Sequence, residues 1–444
     1  MGFPPASSPP PDSVDPDAGL VHFPPEGFAE DAPRPHEARN FFLLALYQVV
    51  LRTGWIFKTE SVIMPAVMDQ LTGQAWMRGC LPMLNRLGQS IPPAMFAHTI
   101  QQQALKKWSF AVTTALMALS FGGLTLIFVV PHANQASWPA YVYLIFYGLF
   151  FATLGVNNLV LNTIQGKLIR VTRRGRLLMI SNVVGSATAI AAAYWLLPLW
   201  LTEKHIDAAS VFGFSTALFV ASSIMAWALW EEPDHRERTD HAWSQAFTDA
   251  WQVLQEDHHF RRFAIVAGLF GTSMSLFPHY QAIGHERLHL DRTHLVTWLI
   301  VQNIGTAIFS IPAGPIADRV GNRLVVQLTM FGILATPLVA LFLMYQPDWG
   351  RDWFYAVFGM VGLTPVVIKT LNNYTLEIAP ENREARYLGT LNLCLATPIM
   401  ASPLVGWMIG RFGFEGAFIA VAVLLFMGWL FSLGLIEPRR RAEH

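Results

Sequence analysis

Charge is what this sequence most conspicuously lacks. Asp, Glu, Lys and Arg supply 14% of its 444 residues, against about 25% in soluble domains. The two signs balance at 30 each, which removes the basic surface a nucleic-acid partner would need. Cysteine is nearly absent: Cys80 and Cys394 stand alone in separate apolar stretches, so no disulfide framework is expected. A secretory leader is not expected either, because the first apolar run begins at Phe41, behind a polar, Pro-rich segment. That segment, residues 1–40, cannot bury enough apolar surface to order itself and reads as a disordered cytoplasmic tail, with its prolines as a candidate binding motif. What is abundant is hydrocarbon: 53% hydrophobic residues and a positive mean hydropathy of +0.37. The main solvent of such a chain is lipid.

A helix needs roughly 20 apolar residues to cross ~30 Å of hydrocarbon. Twelve stretches meet that need: 41–68, 76–97, 108–130, 139–164, 177–200, 210–230, 260–284, 294–313, 324–346, 353–377, 387–409 and 415–435. Hydrocarbon offers the backbone no hydrogen bonds, so these are helices, and the predicted class is an all-α integral membrane fold. Twelve spans return both termini to one side. Of the 30 Lys and Arg residues, twenty fall on that side, six on the other and four inside spans. The bias assigns both termini to the cytoplasm and leaves 437–444 as a short cytoplasmic tail.

The chain reads as two six-helix bundles, 41–230 and 260–436, joined by a linker at 231–259. The linker holds an amphipathic stretch with Trp243, Phe247, Ala250, Trp251 and Leu254 on one face, suited to the inner membrane surface. It is too poor in basic residues for a calmodulin-type target. The halves echo each other. Arg173-Arg174-Gly175-Arg176-Leu177-Leu178 with Asn182 matches Arg383-Glu384-Ala385-Arg386-Tyr387-Leu388 with Asn392. The pair Asn157-Asn158 matches Asn372-Asn373, and Gly88 aligns with Gly305. Parallel repeats of this kind typify secondary transporters.

The loop after span eight reads Gly314-Pro315-Ile316-Ala317-Asp318-Arg319-Val320-Gly321-Asn322-Arg323. It resembles the G-x-x-x-D-R-x-G-x-R/K signature of the major facilitator superfamily, and the twelve spans, two halves and long central link extend the resemblance over about residues 40–436. The resemblance implies two pseudo-symmetric six-helix bundles rocking about a central site. It implies a gate in which Gly314, Asp318, Arg319, Gly321 and Arg323 lock the inner side, with Asp318 approaching Arg173 and Arg176 at the start of span five; the alternative is that Asp318 caps its own turn. The sequence departs from the pattern in three places. The matching loop of the first half has Ala97, Gln101, Gln102, Ala104 and Lys106 in the motif positions. Span four lacks the arginine of many proton-coupled members. Span five carries Gly185 but no Gly-Pro-rich run, so drug/proton exchange is unsupported.

Charges inside spans cost at least ~2.5–3.5 kcal/mol on insertion scales and usually face a cavity. Arg52, Arg86 and Lys369 lie near mid-span with no evident carboxylate at their depth. They are candidate ligands for an anionic solute, the alternative being hydrogen bonds to helix carbonyls. Asn158, Asn373, Gln302 and Asn303 are candidate polar contacts, although such side chains also tie helices together; the same holds for Asn157, Asn162 and Asn372. Lys58 and Glu60 sit in the outer third of span one, where both can snorkel to the interface. Alignment of span seven on span one sets His279 opposite Glu60, which makes Glu60 and His279 the candidates for coupled protonation. Pro92-Pro93 and Pro278 should bend spans two and seven.

One motif points elsewhere. His285-Glu286-Arg287-Leu288-His289 fits H-E-x-x-H, and His294 is near. On a helix His285 and His289 would bind zinc with Glu286 as general base, which describes a membrane metalloprotease. The segment falls at the outer end of span seven, at a loop, where no bilayer-buried zinc site is expected. The sequence therefore predicts a secondary transporter of a small solute, with an organic anion as the candidate class, working by alternating access as a monomer in the cell membrane. H+ or Na+ is the candidate coupling ion, and no cofactor or metal is expected. A non-transporting sensor of the same fold is the alternative, consistent with decay of the first gate loop.

Overall fold

The computed structural model describes residues 35–130, 137–233, 245–380 and 383–437. The Pro-rich segment before residue 35 and the tail after 437 lie outside the described residues, as does Trp243. The first half comprises α1 (Glu37–Trp55), α2 (Ile63–Leu71), α3 (Ala75–Gln102), α4 (Lys106–Val129), α5 (Trp138–Leu168), α6 (Val171–Trp200) and α7 (Ala208–Trp227). A linker helix follows, α8 (Gln245–Glu256). The second half comprises α9 (His258–Met274), α10 (Phe277–Glu286), α11 (His294–Arg319), α12 (Asn322–Met344), α13 (Pro347–Trp353), α14 (Tyr355–Val361), α15 (Thr364–Ile378), α16 (Glu384–Ile399), α17 (Ser402–Phe412) and α18 (Phe414–Leu433).

These helices make twelve crossings, because spans one, seven, ten and eleven each run as two pieces: α1 and α2, α9 and α10, α14 and α15, α16 and α17. Among the described residues, ten segments are long and apolar enough to cross a membrane. The two that fall short are α3, which carries Arg78, Asn85, Arg86 and Gln89, and the divided span seven. Three of the breaks have a proline in the first turn of the resumed helix: Pro278, Pro365 and Pro403. Proline lacks the N–H that would bond across the break and suits a first turn, so the bend expected at Pro278 is present as a break. Span one breaks differently. After a 3-10 turn at Ile56–Lys58 the chain extends at Thr59, whose carbonyl collects the N–H groups of Val62, Ile63 and Met64. Glu60 therefore sits in an unwound stretch.

Packing shows the repeat. Span two crosses span four at Gly88 and Gly155: a Cβ on Gly88 would lie 2.6 Å from the Ala152 amide, and one on Gly155 2.6 Å from the Gly88 carbonyl. Span eight crosses span ten in the same way, with Gly305 against the Gly359 carbonyl and Gly362 2.7 Å from the Thr306 amide. Small residues let helix backbones approach, which is how helices associate where lipid supplies no hydrophobic drive. Elsewhere buried polar groups act as ties. Asn157 accepts from Tyr47 at 2.9 Å and donates to Thr113 and Thr114, joining spans one, three and four.

The halves meet mainly on the face away from the termini, here the distal face. There Ser402 donates to the Gly79 carbonyl at 2.6 Å, and Gly79 and Gly406 seat spans two and eleven against each other's backbone. Further cross-half bonds on this face join Arg78 to Glu286 and Gln281 to Asp69, so the molecule is closed distally; on the terminal face Gly314 and Gly389 have open space where a Cβ would stand. The linker helix α8 docks on the second half: Ala250 and Val253 are buried, and Arg386 donates to the Asp249 carbonyl and to Gln252. The apolar face expected on this helix is thus divided, since Trp251 is exposed.

The crossings make a prediction. Gly88→Val or Gly305→Val should destabilise the protein by about 1–3 kcal/mol, the usual cost of overpacking, seen as a lower thermal midpoint in detergent. Gly166→Ala, made where space is open, should leave the midpoint unchanged; equal midpoints for all three would contradict the packing role.

Candidate functional site

The middle of the molecule collects charge and polarity around the break in span one. Asn85 on α3 donates to Glu60, and Gln89, one turn further along, donates to Asn85. The other Glu60 oxygen, Oε1, is buried without a hydrogen-bond partner. Arg86, between the two amides, lies within Coulombic reach of Glu60 while its Nε and Nη2 have no partner. Arg86 therefore has a carboxylate nearby, which its sequence position concealed because Glu60 lies in the unwound segment. Lys58 turns inward: its ammonium sits 4.9 Å from the Trp55 ring centre and 5.1 Å from that of Phe151, a cation–π arrangement. Tyr147, near Glu60, holds an unpartnered buried hydroxyl. Asn85, Gln89 and Tyr147 escaped the sequence reading, although amides one turn apart in an apolar span are a visible signal.

Arg52 and Lys369 differ from Arg86. Arg52 donates to Asn182 on α6 at 2.6 Å, and its side-chain stem lies over Gly185. The helix that holds it, α6, also borders α11 of the second half, which puts this pair beside the seam. Lys369 is an exposed side chain on α15. Among the described residues neither cation has a carboxylate partner of its own. Asn158 is half-buried and Asn373 exposed. Gln302 reaches across the halves to accept from Ser61 at 2.6 Å. Asn303 donates to the Leu299 carbonyl of its own helix.

His279 follows the break in span seven as Glu60 follows the break in span one. It is fully buried with both ring nitrogens unpartnered, and the charge it feels is that of Arg78. The structure thus sets His279 beside a second polar cluster, in the distal half. The zinc motif also resolves here. Helix α10 ends at Glu286, and His289 has left-handed backbone (φ 52°). His285 and His289 therefore share no helix face. The His285 ring bonds to the Leu290 carbonyl, and Glu286 accepts from Arg78. Among the described residues no cluster of three or more His, Cys, Asp or Glu is arranged to hold a metal.

On the terminal face the motif loop supports its own half. Gly321 has φ 117°, a conformation glycine adopts without strain, and the Glu437 carboxylate fills the space beside it. Glu437 accepts from the Arg323 amide at 3.2 Å, and Arg323 reaches the Leu433 carbonyl. Asp318 and Arg319 are exposed, and Arg173 lies 3.8 Å from Glu37. Arg176 is exposed at the start of α6. An equivalent acid serves the first half: Glu231 accepts from the Lys107 amide at 2.7 Å and pairs with Lys167 at 2.8 Å. These two acids, one after span six and one after span twelve, were not singled out from the sequence.

No curated protein matches the chain by sequence. Among solved structures, a mutant of the nucleoside transporter NupG superposes with a TM-score of 0.70 at 10% identity, covering 89% of this chain and 100% of that one. A D-xylose–proton symporter gives 0.66 at 11% identity, over 90% and 98%. A bacterial homologue of the human lysosomal transporter Spinster, inward-facing and unoccupied, gives 0.59 at 13%, over 90% and 97%. Such low identities establish the fold alone. The family model described as Major Facilitator Superfamily matches residues 94–394 and 285–444; the chain belongs to the major facilitator superfamily, a multi-pass membrane protein with the fold of a secondary transporter.

Proposed function

We propose that this transporter moves a small polar solute carrying negative charge across the cell membrane by alternating access, with both termini in the cytoplasm. The observation that carries the reading is an imbalance: Arg52, Lys58, Arg86 and Lys369 lie within spans, and Glu60 is the carboxylate among them. Each uncompensated cation is costly in hydrocarbon, and an anionic substrate bound between the halves would supply the missing charge. Arg52 and Lys369 stand on opposite halves and are the primary anion ligands. Arg86, Asn158, Gln302, Asn303 and Asn373 complete the polar lining. Under this orientation the structure is inward-facing and the distal face is extracellular.

Glu60 is the coupling residue in this reading, with H+ as the ion. A carboxylate with one oxygen bonded by Asn85 and the other unpartnered has room for a proton. Moving one elementary charge against 100 mV costs about 2.3 kcal/mol; an anion carried with a proton avoids that work. The names of the similar structures, a nucleoside transporter and a D-xylose–proton symporter, fit a small polar solute but not its negative charge. They also keep a second reading in play, proton-coupled uptake of a neutral solute, which Glu60 alone would favour.

Two measurements separate these readings. Organic anions should raise the thermal midpoint of the purified protein through binding to the folded state. Arg52→Gln or Lys369→Gln should remove that shift and lower uptake into proteoliposomes by roughly tenfold or more, as loss of a ~1.4 kcal/mol contact gives. A shift produced by neutral sugars or nucleosides and retained in Arg52→Gln would replace the anion reading with the neutral one. Glu60→Gln should abolish accumulation driven by a pH gradient while preserving substrate exchange at equal concentrations; intact accumulation in that variant would exclude Glu60 as the proton site.

A further inference from the structure

The distal face holds a second buried polar cluster, and it spans both halves. Arg78, on the first turn of α3, has a side chain only 3% exposed. One guanidinium nitrogen, Nη1, donates to Asp69 of its own half at 3.0 Å and to Glu286 of the other half at 2.7 Å. Gln281, on the same short helix as Glu286, returns across the seam to donate to Asp69 at 2.7 Å. Asp69 thus accepts from both halves, and Arg78 binds a carboxylate from each. Beside this bridge the backbones of spans two and eleven touch at Gly79 and Gly406, and the Arg292 amide donates to the Glu203 carbonyl of the first half.

We propose that Arg78 is a gating residue of transport, and that the bridge Asp69–Arg78–Glu286 is the lock that holds the distal face shut. The inference rests on the alternating-access reading, in which the distal face must open once per cycle. Separation of the halves carries Glu286 and Gln281 away together, since α10 bears both, while Asp69 and Arg78 stay with the first half. The lock is therefore built to part along one line. Its parting leaves Arg78 paired with Asp69, so no charge is stranded in hydrocarbon, which is what a reversible gate requires. Glu286 has a side chain 47% exposed and passes into water.

The unsatisfied atoms around the lock agree with a seam that opens. Asp69 Oδ1, Arg78 Nε, Gln281 Oε1, two nitrogens of Arg292 and both of His279 are buried without partners. Most buried polar atoms in folded proteins are bonded. A cluster of donors and acceptors left open on both sides of one seam is stabilised less when closed than a fully bonded core. It also offers sites to water as the halves part. The Glu286 of the H-E-x-x-H motif thereby acquires a role unrelated to zinc.

The test needs no substrate, so its failure is distinct from failure of the anion reading. Spin labels are placed on exposed distal positions of the two halves, Lys204→Cys and Asp348→Cys, in a Cys80→Ala, Cys394→Ala background, and the distance distribution is read by pulsed electron resonance. The parent should give one short distance. Arg78→Gln and Glu286→Gln should each raise the population at longer distance by roughly tenfold or more, which corresponds to a loss of ~1.4 kcal/mol. The charge swap Arg78→Glu with Glu286→Arg keeps one cation between two carboxylates and should restore the short distance. A distribution unmoved by Glu286→Gln overturns the proposal, and that half-exposed position decides the matter even where Arg78→Gln lowers the yield of folded protein. Failure of the charge swap to restore the short distance overturns the pairing of Arg78 with Glu286.

Discussion

Hydrocarbon solvates neither a peptide group nor a charge, and the rest of this structure follows from where the chain finds substitutes. Along most of each span the helix satisfies its own backbone. Where a helix stops inside the membrane, something specific takes over: proline, which removes the orphan donor at Pro278, Pro365 and Pro403, or the Thr59 carbonyl, which receives three amides at once. The break at Thr59 has the larger consequence. It frees Glu60 from helical spacing and lets it face Asn85 and Arg86 on the neighbouring span. Here the rearranged backbone brings a carboxylate to the charge that a regular helix, α3, already carries.

The two halves solve the packing problem alike and the polar problem differently. Gly88 with Gly155 and Gly305 with Gly362 bring backbones together at equivalent crossings. Glu231 and Glu437 each receive a backbone amide from the start of the third span of their own half, at Lys107 and Arg323. Between these shared points the chemistry diverges. The first half concentrates its mid-span charge on spans one and two, and the second half contributes Lys369 on span ten. The first motif loop has lost its glycine and aspartate, whereas Gly321 keeps the backbone conformation that seats Glu437. Backbone contact is demanding and preserves its glycines; polar lining is where two copies of one bundle can specialise.

The fold was legible because it is written in local terms. Apolar length marks ten spans outright, and the more polar spans two and seven still read from the sequence as apolar stretches at 76–97 and 260–284. The Gly88–Gly305 alignment pointed to real crossings. What could not be read is pairing between residues far apart in the chain. Nothing local says that Arg78 meets Glu286, or that Gln281 returns to Asp69. Glu60 is a protonation candidate from the sequence, but its approach to Asn85 and Arg86 is hidden as long as a continuous helix is assumed to run through it. The H-E-x-x-H spacing shows the same limit in reverse, since α10 stops at Glu286 and spacing without a helix carries no geometry. Trp251 belonged on the apolar face by period, yet docking on α16 chose Ala250 and Val253 instead.

The two polar clusters differ in a way that bears on the cycle. The distal one balances its formal charges, two carboxylates against Arg78 and Arg292, when His279 is neutral. The central one is less complete: Lys58 and Arg86 lie in electrostatic reach of Glu60, while Arg52 is held by Asn182 and Lys369 stands exposed on the other half. The closed seam is therefore neutral by its own side chains, whereas on the proposed reading the centre becomes so with an anion bound. On the proposed anion reading, a ligand held by Arg52 and Lys369, which lie on different halves, would draw the halves together. Closing the halves over an empty centre would, on the same reading, bury those cations unpaired, at a cost of several kcal/mol. The imbalance would then do more than attract an anion: it would penalise the fully closed state until the anion arrives, which is the condition for coupling movement of the protein to movement of its solute.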